Sequence, residues 1–158
     1  MFENTKAFSG FSVNDLEAAK KFYGEALGLK TSEQYGLLTL HLAGGRDTLV
    51  YPKPDHQPAT YTILNFAVDD IDAAVDELAR RGVHLERYEG LGQDDKGINR
   101  AGGPYIAWFK DPAGNVLAVL QERLYLHWPA SARGLTGVRA RGLAVPEKRG
   151  LNTLWRPL

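Results

Sequence analysis

A chain of 158 residues with no cysteine is long enough to bury a core without staples, and it excludes disulfides, thiolate catalysis and cysteine-based metal sites. The formal net charge of zero hides an asymmetry: residues 1–122 hold 12 Lys and Arg against 18 Asp and Glu, a net of −6, while residues 123–158 hold 7 against Glu147 alone, a net of +6. An acidic body speaks against nucleic acid as its partner, because phosphate binding needs a basic face, and no stretch approaches the roughly 20 apolar residues of a membrane span. The start "MFENTKAFSG" has no basic segment followed by an apolar run, so a cytoplasmic location is expected.

The first strand-like alternation leads to Asn14, read as an N-cap, with Glu17 three residues on completing a capping box. Leu16, Ala19, Phe22, Tyr23, Ala26 and Leu27 then line one face of a helix expected over 14–27, which Gly28 ends. Strand-like runs follow around 29–34, at 36–43 and at 47–53. The pattern then restarts. "FAVDDIDAAVDELARRGV" at 66–83 lies over "FSVNDLEAAKKFYGEALG" at 11–28 with a constant offset of 55, which sets Phe66 on Phe11, Val68 on Val13 and Asp70 on Asp15. Asp69 takes the cap position with Asp72 three residues on. Ile71, Ala74, Val75 and Leu78 form the apolar face of a helix over 70–81, and Gly82 stops it. Runs at 83–88, 104–110 and 115–121 complete the second set of strands, and the Gly-rich 89–103 reads as a long flexible connection across the mouth of a cleft.

Each half is therefore β-α-β-β-β. Such units bury their faces by pairing, which predicts an α+β body of two tandem βαβββ modules, about 5–54 and 59–122, forming a curved mixed sheet with a central cleft. From Arg123 the composition changes: Gly and Pro recur without sustained periodicity, and 123–158 reads as a basic C-terminal extension, mobile from about 130. Leu124, Leu126 and Trp128 alternate in a way that could extend strand pairing beyond Gln121.

Motifs of common catalytic chemistry are absent. "GLGQDDKG" lacks the residue order of a phosphate loop, and no Gly-x-Ser-x-Gly elbow supports a serine hydrolase of that type. The four histidines, at 41, 56, 84 and 127, show no i,i+2 or i,i+4 pair. His41 alone sits mid-strand near the expected cleft, where a lone histidine is more often a hydrogen-bonded structural residue than a ligand.

The tandem pattern, "VNDLEAAKKFYGEALGL" and the late "WFKDPAGNVLAVLQ" resemble the vicinal oxygen chelate superfamily, which includes glyoxalase I, bleomycin-resistance proteins, fosfomycin-resistance enzymes and extradiol dioxygenases. The resemblance covers about residues 6–122 and implies a divalent cation in the cleft, held from the first and last strands of each module. Carried over by spacing, those ligand positions are Phe8, Ile63, Ala118 and, by best placement in the first module, Tyr51. A divalent cation needs imidazole nitrogen or carboxylate oxygen, and these residues offer neither, so no metal and no cofactor are expected. What remains is a cleft lined by Phe8, His41, Tyr51, Lys53, Asn65, Arg100, Tyr105 and Trp108, suited to a planar or anionic small molecule, with Arg100 as the charge clamp. The resemblance thus implies a metal-independent small-molecule-binding protein that sequesters a drug or metabolite as a homodimer. The alternative is a metal-dependent lyase, isomerase or dioxygenase with ligands outside the inherited positions.

Overall fold

The computed structural model describes residues 1–122, and the basic extension, with the pairing expected of Leu124, Leu126 and Trp128, lies outside the described residues. The first module runs β1 (Ser9–Val13), α1 (Leu16–Lys21), a π-helical turn (Phe22–Ala26), β2 (Lys30–Gln34), β3 (Leu37–His41) and β4 (Thr48–Pro52). The second runs β5 (Thr62–Ala67), α2 (Ile71–Arg80), β6 (Tyr105–Lys110) and β7 (Val116–Gln121). The strands form a four-stranded sheet in the order β1-β4-β3-β2 and a three-stranded sheet in the order β5-β7-β6. In each, the opening strand runs parallel to the closing one and the remaining pairs are antiparallel.

The internal repeat is visible in the helix caps. Asp15 and Asp70 both cap, with φ/ψ of −137°/110° and −136°/106°, accepting from the amides of Ala18 at 2.9 Å and Ala73 at 3.0 Å. The caps expected at Asn14 and Asp69 therefore fall one residue later. Val13 is still in the β1–β4 ladder and its carbonyl accepts from Lys53 N at 2.8 Å, so Asn14 has to turn the chain before a helix can begin. Glu17 and Asp72 consequently stand at the second helical position, too early to reach back in a capping box. The first helix also changes pitch, since Leu27 N donates to Phe22 O across five residues.

Helix-facing residues alternate along the strands with residues of the opposite face. Val13, Leu38, Leu40 and Val50 of the first sheet are fully buried with Tyr23, and Ala107, Phe109 and Leu117 of the second match them, together with Ile71 of α2. Phe66 stacks on Phe109 at 6.5 Å, and Phe11 packs on Tyr23 at 5.9 Å.

The strand expected over 83–88 is reduced to one bridge, Leu85 with Phe109, supported by Glu86 N donating to Trp108 O at 2.7 Å. Gln93 explains the loss: its side chain accepts from Tyr88 N at 2.7 Å and donates to Glu86 O at 3.0 Å, supplying locally what a ladder would supply. The expected connection over the cleft mouth is likewise corrected. Segment 89–103 is built against the outer edge of β6, where Asn99 exchanges two backbone hydrogen bonds with Ile106, and Ile98 is fully buried in the core.

The modules are joined through Asp111, 5 % exposed, in the β6–β7 turn. Its carboxylate accepts from Tyr23 Oη at 2.8 Å, from Asn115 Nδ2 at 3.0 Å, and from the amides of Ala113 at 2.9 Å and Asn115 at 2.8 Å. Asn115 Nδ2 also donates to Ser12 O at 3.0 Å, which closes the link back to β1. Tyr23→Phe removes one partner and is expected to cost about 1–2 kcal/mol. Asp111→Ala strands several buried donors and is expected to lower Tm by about 10 °C or more. Thermal unfolding of both variants measures the lock, and an unchanged Tm for Asp111→Ala would show that it does not hold the modules.

Candidate functional site

The strand register decides which candidate residues share a surface. In the second sheet Asn65 pairs with Ala118 and Ala118 with Trp108, so the three form one row across β5, β7 and β6. This row lies on the face opposite Leu117, Val119 and Phe109, which belong to the core under the helix. Trp108 Nε1 donates to Thr62 Oγ1 at 3.2 Å. Thr62 is on β5, two strands from β6, so the indole must cross β7, and it does so beside the methyl of Ala118, which is fully buried. Tyr88 meets the indole edge-on at 5.7 Å and 79°. Burial, and then the Glu86 carboxylate, pushes its phenol above the ordinary value. Glu86 and Lys110 pair at 2.7 Å beside this aromatic corner.

In the first sheet the corresponding face carries Gly10, Ser12, Thr39, His41, Leu49 and Tyr51, opposite Leu38, Leu40 and Val50. His41 is bonded to Ser32 at 2.8 Å and to Asp47 at 3.1 Å. Tyr51, at the end of β4, is 37 % exposed. Phe8 precedes β1 and is largely exposed, and Lys53 lies beyond β4 in an ion pair with Asp55 at 2.9 Å.

Arg100 and Tyr105 belong elsewhere. Tyr105 shares strand parity with Ala107 and Phe109 and packs against the core on the helix side. Arg100 lies 5.1 Å from the centre of its ring. The same guanidinium holds Asp94 at 2.7 Å and both oxygens of Asp72, on the first turn of α2, at 2.8 and 2.9 Å. An arginine engaged by two carboxylates ties the 89–103 segment to α2, which corrects its expected role as a charge clamp in the cleft.

Burial alone would push the Asp94 carboxyl up, but Arg100 and the amides of Ile98 and Lys96 bring it below its usual value. A depressed carboxyl contributes stability that is complete above the unfolded value, about 3.9, and is lost as pH falls through the folded one. Arg100→Ala is therefore expected to lower Tm by a few degrees, with the difference from wild type shrinking in acid. Small-molecule affinity should be unchanged, and calorimetry on the same variant checks that.

Chemically, this face does not suit the family's divalent cation. Register matches Ala118 to Leu49 in the first module, because Asn65 aligns with Gly10 and Gly10 pairs with Leu49. The ligand position placed at Tyr51 thus moves two residues along the same face, to Leu49, whose side chain has no donor atom. Ile63 is the extra residue of a β-bulge between Thr62 and Leu64. No group of three or more His, Asp or Glu is disposed to hold a metal among the described residues.

Two grooves lie on the opposite side. One of about 250 Å³ is bordered by Leu27, Leu29, Phe66, Leu78, Arg81 and Phe109. The other, of about 610 Å³, is bordered by Lys21, Phe22, Glu25, Arg80 and Arg81. They follow the seam where Arg81 Nη1 donates to Ala26 O at 3.1 Å, and they contain none of the eight residues read from sequence.

The family model that matches, glyoxalase/bleomycin resistance protein/dioxygenase superfamily, spans residues 8–119, nearly all of the two-module body. The chain belongs to this superfamily. A putative glyoxalase family protein from Bacillus anthracis is similar at TM-score 0.58 and 19 % identity, over 78 % of this chain and 100 % of that one. TnmS3, an antibiotic binding protein from Streptomyces sp. CB03234, is 26 % identical at TM-score 0.55, over 76 % of this chain and 98 % of that one. The fosfomycin resistance protein FosX from Mesorhizobium loti is 14 % identical at TM-score 0.54, over 77 % and 95 %. No curated protein sequence matches the chain.

Tyr88 and Thr62 were not legible as site residues. Tyr88 closes what reads as an ordinary strand, and the partner of Trp108 is fixed only by the crossing of β7. Among the described residues no helix is long and apolar enough to cross a membrane.

Proposed function

We propose that the chain is a metal-independent small-molecule-binding protein of the glyoxalase/bleomycin-resistance type, which sequesters a planar organic compound on its aromatic sheet face. The observation that carries this is the indole of Trp108 lying beside Ala118, where the family's metal-dependent members place a ligand. An aromatic plane flanked by Tyr88, with the exposed amide of Asn65 in the same row, offers stacking and one directional hydrogen bond. The 26 % identity to an antibiotic binding protein supports binding as the function. A cytoplasmic homodimer is part of the same proposal, since open sheet edges invite a second copy to cover them.

A thermal-shift screen of planar aromatic and anionic drug-like compounds tests it. A compound at 100 times its Kd should stabilise the protein by about 2.7 kcal/mol. Trp108→Ala should weaken that compound about tenfold or more while leaving the fold intact, since stacked aromatic contacts contribute on the order of 1 kcal/mol beyond the area they bury. Chelator should leave Tm unchanged. A rise of several degrees with Zn²⁺ or Ni²⁺, or turnover of a glutathione hemithioacetal, would favour the metal-dependent enzyme instead.

A further inference from the structure

On the corresponding face of the first sheet lies an arrangement that the binding reading does not use. β2 is the edge strand of the order β1-β4-β3-β2. Ser32 pairs with Thr39 and Lys30 with His41, so Ser32 and His41 are diagonal neighbours on one face. Asp47 closes the turn that leads from β3 into β4. Ser32 Oγ stands 2.8 Å from His41 Nε2, and His41 Nδ1 stands 3.1 Å from Asp47 Oδ1.

The proton order follows from the donor inventory. A carboxylate can only accept, so Nδ1 carries the hydrogen that is donated to Asp47. In the neutral ring Nε2 is then the acceptor, and the Ser32 hydroxyl donates to it. The imidazole is placed to take the serine proton, while the carboxylate holds its tautomer and stabilises the imidazolium that forms.

We propose that Ser32, His41 and Asp47 form an acyl-transfer site that hydrolyses small activated esters. Ser32 Oγ attacks the ester carbonyl carbon as its proton passes to His41 Nε2. The bond from that carbon to the leaving oxygen breaks, and the leaving group takes the proton from His41. Water then attacks the acyl carbon with His41 accepting its proton, which releases the carboxylic acid and restores the Ser32 hydroxyl. Lys30, directly opposite His41 in the ladder, stands on the same face and brings a positive charge to this edge. The side chains of His41 and Asp47 are 33 % and 53 % exposed, so ester and water both enter from solvent. A single missing oxyanion donor costs about 10²–10³ in kcat, so an open site of this kind should act slowly and on good leaving groups.

The activity goes beyond the binding reading and uses neither Trp108 nor Tyr88. The test uses the full chain with p-nitrophenyl acetate and, separately, with a fluorophosphonate probe whose fluoride is displaced by a nucleophilic serine. Expected results are a burst of p-nitrophenol and a mass increment on the peptide that contains Ser32. Ser32→Ala should abolish both signals. His41→Gln and Asp47→Asn should each slow labelling about tenfold or more, with melting curves confirming that the variants fold. Lys96→Ala, at an exposed ion pair with Asp76 in the other module, should label at the wild-type rate, and the labelling result does not depend on the thermal-shift screen, which keeps the two tests separate. Absence of label on Ser32 in the wild type would overturn the proposal. So would ester hydrolysis that survives in Ser32→Ala, because the nucleophile would then be a histidine or lysine acting alone.

Discussion

The described body depends on one buried carboxylate. Asp111 sits in the β6–β7 turn of the second module, yet its partners include Tyr23 of the first. Charge-assisted hydrogen bonds of this kind contribute about 1.5–3 kcal/mol each, against a desolvation cost of several kcal/mol for the ion. The balance favours the folded form because every oxygen is met: Asp111 accepts four hydrogen bonds, and no buried polar side-chain atom among the described residues lacks a partner. The link is reinforced at the linker, where His56 bonds Ser12 Oγ at 2.8 Å and Ala113 O at 3.0 Å. These contacts set the β6–β7 hairpin against β1. They therefore also fix which residues of β6 and β7 lie on the face opposite the helix.

That constraint explains the π-helical turn in a sequence that reads as a plain amphipathic helix. The turn brings the Tyr23 hydroxyl to Asp111 with its ring fully buried, between Phe11 and Phe22. Burial, and then the neighbouring carboxylate, pushes the phenol well above its ordinary value, so it is a donor to Asp111 at neutral pH. No periodicity argument reaches this, because the signal is a partner 88 residues away.

Local patterns are legible wherever the deciding interaction lies within one helix or strand. The repeat, both helices, seven of the eight expected strands and the equivalence of the two capping aspartates follow from alternation and an offset of 55. Calling 83–88 a strand failed because Gln93, five residues past its end, supplies the hydrogen bonds a neighbour would have supplied. Arg100 and Asp72 looked like a clamp and half of a capping box, and they turn out to be each other's partner. Tyr105 and Trp108 looked alike as strand aromatics. Parity separates them, and parity could be assigned only once Phe109 was known to be the residue that faces the helix.

The two departures at the site are one change. Neighbouring strands lie about 4.8 Å apart, so an indole on β6 that bonds to β5 has to span roughly 10 Å across the surface of β7. At its own level in the ladder it meets residue 118. An alanine there presents one methyl and lets the ring pass, whereas a carboxylate side chain would stand in its path. A carboxylate would also face an apolar ring in place of a cation, at a cost of several kcal/mol for an unpaired charge out of water. Ala118 and Trp108 therefore imply each other: the one methyl at 118 is what makes room for the aromatic plane. The β-bulge at Ile63 acts in the same direction, since it shifts the register of β5 there while Thr62 remains available to the indole.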